Sequence, residues 1–507
     1  MMYVAAGLVF LVTLAIVVER ARGELALSSR LRALATQGET LSLAALKPKR
    51  APDGENLFLD LLSLTNQLKT IATNLDSISP RMQFAAPGRA VVASQVESWP
   101  FDGKTTNDWD RIGKVLAAAR EPLSALESAA QKRTYDSGTD YDKGFIDLQL
   151  KNIGDIRYGS QLLSWSVLYS LREGNAERAQ MVLETLVRLT ARQTPEPLII
   201  CQLVRHACAA MAFNVTWQAL QIDGWTDARL AAMQTAWREC DFVKDMGFAT
   251  EMERAMNLDF YTQLRKSKAK LDFVIEQREK VREITDGSFG GLGSQGFVLN
   301  WLHVPLWRAA WIAQDELEAL ERWQFTIQRE RLARTNGWAM LNRTGNAAAA
   351  RQKSLFVDRD KMGWYDRLRF LFASGEFAIT DGMIRKTLAA QTQQQMTLTV
   401  LAIQRYRLRN GRPPAQLSEL VPEFLAAPPR DFMDGQTLRY SLRPNHAGFL
   451  LYSVGEDGLD DGGDPTPRDG KKEFRQIWDG RDAVWPTAAT AEEAKSAMEA
   501  ELKREHK

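Results

Sequence analysis

Histidine, cysteine and any excess of one charge are scarce in this 507-residue sequence, and each shortage excludes a kind of chemistry. The four histidines, His206, His303, His446 and His506, form no H-E-x-x-H motif and no paired ligand spacing, so no zinc site is expected. Three cysteines, Cys201, Cys208 and Cys240, cannot all pair, and their apolar helical surroundings suit a cysteine acting as a small hydrophobe. They leave the redox compartment open. Cys201, His206 and Cys208 form a metal-like set only on paper, because on a helix the cysteines share a face from which His206 points away. No G-x-S-x-G elbow and no Walker-type loop occurs. Gly291, Gly293 and Gly296 satisfy the dinucleotide pattern in form, but a charged helical stretch stands where a buried strand is required, so a flexible loop is expected. With 65 Lys and Arg against 63 Asp and Glu, the net charge of +2 gives no footprint for nucleic acid. Nucleic acid is not an expected partner.

Ionisable side chains are missing altogether from residues 1–18, and polarity returns abruptly at Glu19, Arg20 and Arg22. Such a helical run spans roughly 27 Å, just short of the ~30 Å hydrocarbon core of a bilayer. A transmembrane anchor over residues 1–20 is the expectation. A cleaved signal peptide is the main rival, but its apolar region is usually shorter, follows basic residues and ends at a small-x-small site. A buried soluble helix is the third reading.

Beyond the anchor the composition is that of a globular protein, 45% hydrophobic and 25% charged. The expected fold class is mainly α: an N-terminal transmembrane helix, a helical array, and a small C-terminal α+β module with a short antiparallel sheet. Residues 21–146 read as a juxtamembrane region, with a helix over 24–46, a spacer over 47–56 marked by Pro52 and Gly54, a periodic helix over 58–75, and irregular chain over 79–107. Residues 147–377 read as the array. Segments 158–171, 176–190 and 198–222 fit antiparallel helices with short connections, yet no fixed period makes them a repeat protein. Trp225 and Thr226 suit a staple and an N-cap for the next helix, and helices continue over 242–284 and 301–332 around a glycine-rich break. Residues 378–486 form the module: a helix through Met396, Val400, Ile403 and Leu408 stops at Asn410 and Gly411, a short amphipathic piece covers 417–424, and alternating segments 438–442 and 449–454 flank a turn with Pro444, Asn445 and Gly448. Residues 487–507 read as a charged helical tail. Ile379, Met383, Ile384 and Leu388 give the join an amphipathic period, so the module is expected to dock on the array.

The segments LAIQRYRLRNGRPPAQLSELVPEFL, RDFMDGQTLRYSL and FLLYSVGEDGLDDGGD resemble the C-terminal part of type II secretion major pseudopilins. The whole chain is similar to a group of uncharacterised membrane-anchored proteins of planctomycete and verrucomicrobial type. The residues that carry this are ERARGELALSSRLRALATQGETLSLAALKP after the anchor and a D-x-V-W-P segment at 482–486. The pseudopilin resemblance implies calcium in the Asp/Gly loop, framed by Ser453, Gly455, Asp457 and Gly458, with Glu456, Asp457, Asp460, Asp461 and Asp464 as the candidate ligands. Hard cations want several oxygens, which this loop concentrates, although it lacks EF-hand spacing and reads equally as a solvated turn. The chain departs from pseudopilins in that most of its length precedes the module helix and no prepilin cleavage site is evident, so no pilus is expected. A binding or capping element is. Basic residues after the anchor argue for a cytoplasmic body by the positive-inside rule. In the related group basic residues usually precede the anchor, so the expected placement is a single pass through the inner, cytoplasmic membrane with a periplasmic or exterior body, and a true start upstream of Met1.

Carboxylate pairs such as Glu251 and Glu253 beside Arg254 are open to a catalytic reading, while adjacent charges in a helical bundle are ordinarily ion pairs or a solvated edge. Trp217, Trp225 and Trp237 likewise read as helix packing before a ligand groove. The expected function is a non-enzymatic membrane-anchored envelope protein whose helical surface binds an envelope protein or polymer, with calcium in its module. The alternative is an envelope hydrolase using carboxylates in the helical body.

Overall fold

A computed structural model of the chain describes residues 2–52, 54–75, 82–97, 100–101, 104–105, 108–150, 154–191, 196–286, 302–343, 363–373, 381–443, 448–468 and 474–505. The first element, α1 (Met2–Thr36), carries the apolar run without interruption into the body. Residues 3–15 are all exposed, whereas from Ile16 onward one face takes up packing, with Gly23, Leu27 and Leu34 buried. That three-to-four spacing is one helical face. The helix continues without a break past residue 20.

A short α2 (Leu43–Leu46) and α3 (Leu57–Leu75) follow, then strands β1 (Phe84–Ala86), β2 (Arg89–Ala90), β3 (Pro100–Phe101) and β4 (Lys104–Thr105), and helices α4 (Trp109–Ala118) and α5 (Arg120–Ala129). The irregular stretch expected over 79–107 thus contains short strands. Next comes the array: α6 (Asp155–Arg172), α7 (Ala176–Ala191), α8 (Ile199–Ala219), α9 (Asp227–Arg238), α10 (Phe242–Lys266) and α11 (Lys268–Asp286). Thr226 caps α9 as its sequence indicates, accepting the Arg229 N–H at 3.3 Å. The helices expected over 242–284 meet at Ser267, where the backbone turns extended. After it stand α12 (Val304–Ala310), α13 (Ile312–Asn336), α14 (Trp338–Arg343) and α15 (Trp364–Arg369). The glycine loop with Gly291, Gly293 and Gly296 lies outside the described residues, as do His446, His506, Pro444, Asn445 and Ile379.

The module is entered by α16 (Asp381–Asn410), which stops at Gly411 with φ +69°. Strands β5 (Arg439–Leu442) and β6 (Phe449–Ser453) pair antiparallel as their alternation indicates, and β6 also pairs with β7 (Ala483–Val484). Finally β8 (Thr487–Ala488) lies parallel to β2, and α17 (Ala491–Glu505) packs beside it with Ala494 against Val91. Arg89 ties the same ends together through Glu493. The tail closes the body.

One hydrophobic cluster runs from Leu57 and Leu126 through Leu163, Val187 and Trp237 to Met396, Leu401, Phe424 and Ala483. Region 21–146, the array and the module consequently share a core. Helix α8 is apolar and long enough to cross a membrane, but Phe213, Val215 and Trp217 on it are buried in the body. Docking of α16 is as its amphipathic period predicts: Ile384 and Leu388 are buried, and buried glutamines join the elements. Gln234 donates to the Leu398 carbonyl at 3.1 Å, Gln394 donates to the Trp237 carbonyl at 2.9 Å, and Gln391 accepts the Phe242 N–H at 2.8 Å.

Candidate functional site

The Asp/Gly loop is shaped by glycines and held by a carboxylate that sequence reading passed over. Gly455 and Gly463 both have positive φ, and a Cβ would stand 2.5 Å from the Arg481 carbonyl oxygen at the first and 2.7 Å from Leu450 at the second. Neither turn tolerates a side chain. Asp482, fully buried at the head of the D-x-V-W-P segment, accepts the N–H groups of Gly463 at 2.7 Å and Asp464 at 3.1 Å. Asp431 does the same for Met433 and Val454 and also accepts the Ser453 hydroxyl at 2.9 Å. Burial pushes both carboxyls up to about 6. Their signal in the sequence was slight: an isolated Asp beside apolar residues.

The five candidate calcium ligands are dispersed around this frame. Glu456 pairs with Arg385 and, at 2.6 Å, with Arg468. Asp457 accepts the Leu459 N–H at 3.0 Å, and Asp460 takes the Tyr452 hydroxyl at 3.0 Å and Arg439 at 3.3 Å. Asp461 and Asp464 lie 3.9 and 3.8 Å from Arg481. Among the described residues no group of three or more His, Cys, Asp or Glu side chains is placed to hold a metal ion. Arginines stand beside Glu456, Asp460, Asp461 and Asp464, and Asp457 turns to a backbone N–H.

In the helical body the residues singled out for chemistry have structural partners. Cys201 and Cys208 belong to different clusters, and the half-buried His206 ring, whose nitrogens bond to no group among the described residues and whose centroid lies 5.5 Å from that of Phe242, is held down to about 3 by burial and by the charges of Arg205 and Lys386. His303 meets the Leu368 carbonyl at 2.7 Å. Trp217 donates to the Pro486 carbonyl and Trp237 stacks on Phe213 at 4.4 Å, so both are core. Trp225 donates to the Ala219 carbonyl from a half-buried position. Glu251 pairs with Arg331 at 2.6 Å, and Arg254 is fully buried against Glu39 at 2.8 Å. These are ion pairs.

Glu253 departs from that pattern. Its carboxylate accepts the Ile199 N–H at the start of α8, next to Glu196, whose buried carboxylate takes hydroxyls from Ser137, Thr139 and Tyr141. Burial raises Glu253, and burial together with the charges of Glu196 and Glu253 pushes the neighbouring Cys201 thiol up to about 12. A thiol so placed stays protonated near neutral pH and is no nucleophile. Three hydroxyls already occupy Glu196, so the knot fastens residues 137–141 to the chain leading into α8.

Glu330, buried on α13, is different again because its Oε1 has no hydrogen-bond partner. Burial pushes it up to about 7, opposed by Arg334 and reinforced by Glu251. A carboxyl raised in the folded state contributes stability that is complete below its ordinary value, here 4.5, and is lost as pH rises through about 7. Glu330→Gln keeps the neutral form at every pH. The expected result is a variant more stable than wild type by about 1–3 kcal/mol at pH 8.5 and equal to it near pH 4.5, read from thermal melts at the two pH values.

Comparison with family models, curated proteins and solved structures found no match to this chain.

Proposed function

We propose that the chain is a membrane-anchored envelope protein that performs no reaction of its own and presents a binding surface on a helical body fixed to its anchor. The observation that carries this reading is the continuity of α1. Its first part exposes apolar side chains over residues 3–15, while its second part is built into the body through Gly23, Leu27 and Leu34. A Cβ at Gly23 would stand 2.9 Å from Gln314, so the two helices meet almost backbone to backbone. Such an interface suits a retained anchor, because removal of a signal peptide through this region would strip α13 of its partner. The proposed location is the inner membrane with a periplasmic or exterior body, and the proposed partner is an envelope protein or polymer.

The hydrolase alternative needs convergent carboxylates open to a substrate; most of the acids described above are paired, and Glu330, whose Oε1 lacks a partner, is buried. Calcium rests on the pseudopilin resemblance alone. To enter, it must displace Arg439 from Asp460 and Arg481 from Asp461 and Asp464, and calorimetry of the full-length protein with calcium chloride registers whether it does.

The test of the anchor reading is alkaline extraction of native membranes followed by N-terminal sequencing. The expected result is a chain that stays in the pellet with the apolar run intact. A shortened chain in the supernatant overturns it.

A further inference from the structure

Where α1 leaves the body, other apolar elements stand beside it. Ile16 packs into a cluster built from Trp307, Trp311 and Phe372, with Leu306, Tyr365 and Leu368 at its margin. One turn on, the Glu19 carboxylate accepts Gln314 at 2.7 Å and also bonds the Tyr365 side chain. Helices α12 and α15 are thereby fixed at the level where the exposed apolar run ends and the first charge appears.

Residues 302–310 and α15 each expose an apolar side chain at that level, with Arg367 of α15 exposed as well. Val304, Trp307 and Ala310 on α12 face the body, while Leu302 (57% exposed) and Pro305 face away, with Leu306 and Ala309 half-exposed between the two sides. The outward positions follow the i, i+3, i+4, i+7 order of a helix face. Trp364 at the start of α15 is 76% exposed, although Tyr365 next to it packs on Trp311 with ring centroids 6.0 Å apart. Arg308 is tied to the Arg265 carbonyl at 2.7 Å, which leaves positions 302, 305, 306 and 309 as an apolar face, and such a face is at home in a protein core or in lipid. Exposed tryptophan beside leucine is also the composition of membrane-interface belts and of helices that lie in the headgroup layer.

We propose that residues 302–310 and α15 form a collar that rests in the lipid headgroup region beside α1, with Leu302 and Trp364 inserted into the bilayer surface. The proposal rests on residues 1–18 spanning the bilayer, and its occupant is lipid because α12 packs beside α1 at the level of Ile16, with Leu306 and Tyr365 against the same cluster, where Val17 and Val18 of the anchor are still exposed. A collar of this kind adds a second contact off the axis of α1. The body then leans on the membrane in one orientation.

The test uses the full-length chain in phosphatidylcholine and phosphatidylglycerol vesicles. An environment-sensitive fluorophore is placed by Leu302→Cys or Trp364→Cys, with Val9→Cys in the anchor and Met181→Cys on α7 as references, and wild type labelled in parallel corrects for the native thiols. Quenching by lipids carrying a nitroxide near the headgroup is expected to be severalfold stronger at positions 302 and 364 than at 181. If those two positions are quenched no more than 181 while position 9 is quenched, the collar is wrong and the anchor stands. If position 9 also escapes, the spanning reading itself fails. Shielding of 302 and 364 from both lipid nitroxide and aqueous iodide overturns the lipid occupant in favour of a second copy of the chain.

Discussion

Arg254→Ala is expected to cost the folded protein about 3–5 kcal/mol, since it leaves the Glu39 carboxylate with only the half-exposed Arg331 and empties a fully buried site. Arg254 is fully buried on α10, where its guanidinium pairs with Glu39 at 2.8 Å, donates to the Thr40 carbonyl at 3.0 Å and bonds the Gln324 side chain. It therefore links the turn after α1 to both α10 and α13. Arg331 also reaches Glu39 but from a half-exposed position, where solvent screening weakens an ion pair. Burial pushes the Glu39 carboxyl up, and the hydrogen bonds and charges of Arg331 and Arg254 outweigh it and hold the group down at about 2. A depressed carboxyl contributes stability that is present above its ordinary 4.5 and lost as pH falls through about 2. Urea unfolding of the detergent-solubilised chain measures the loss, which should narrow at low pH. Proteolysis should at the same time begin to cut residues 37–42.

A comparable loss, about 3–4 kcal/mol, is expected for Asp315→Ala, because several buried donors would be left without an acceptor. Asp315 on α13 is fully buried and accepts the N–H groups of Leu371, Phe372 and Ala373, each at 2.9 Å, and the Trp307 indole N–H at 2.9 Å. One carboxylate thus positions the chain after α15 and the inner face of α12. Hydrogen exchange should rise first at residues 370–373 in the variant, ahead of α6 and α7. Uniform acceleration across the body would mean that Asp315 supports the core in general and not this corner.

The helices were legible because their signals are local. Apolar period, the Thr226 cap and the Gly411 stop each act within a few residues, and all three stand where the spacing puts them. The hairpin of β5 and β6 was legible for the same reason. What sequence could not show is contact between residues far apart, such as β8 beside β2, or Asp315 with the 371–373 backbone. Glu39 with Arg254 is the clearest case, since a solvated acid and a buried lock have the same letter. The loop acids were visible as a cluster, but their arginine partners come from α16, β5 and the segment before β7, and the D-x-V-W-P segment that Asp482 heads does not reveal its bonds to Gly463 and Asp464. Trp364 drew no notice because an exposed tryptophan has no sequence signature.

The central claim is that anchor, array and module move as one body. Its most direct measurement is the pulsed electron-spin distance distribution between nitroxides at Leu8→Cys in the anchor and Leu408→Cys at the end of α16, taken on the full-length chain in lipid nanodiscs. A single narrow distance is predicted, since α1 is locked to α13 and α16 to α8, α9 and α10. A broad or multiple distribution, with the protein still folded, would contradict the account by showing a body that swings on its membrane helix.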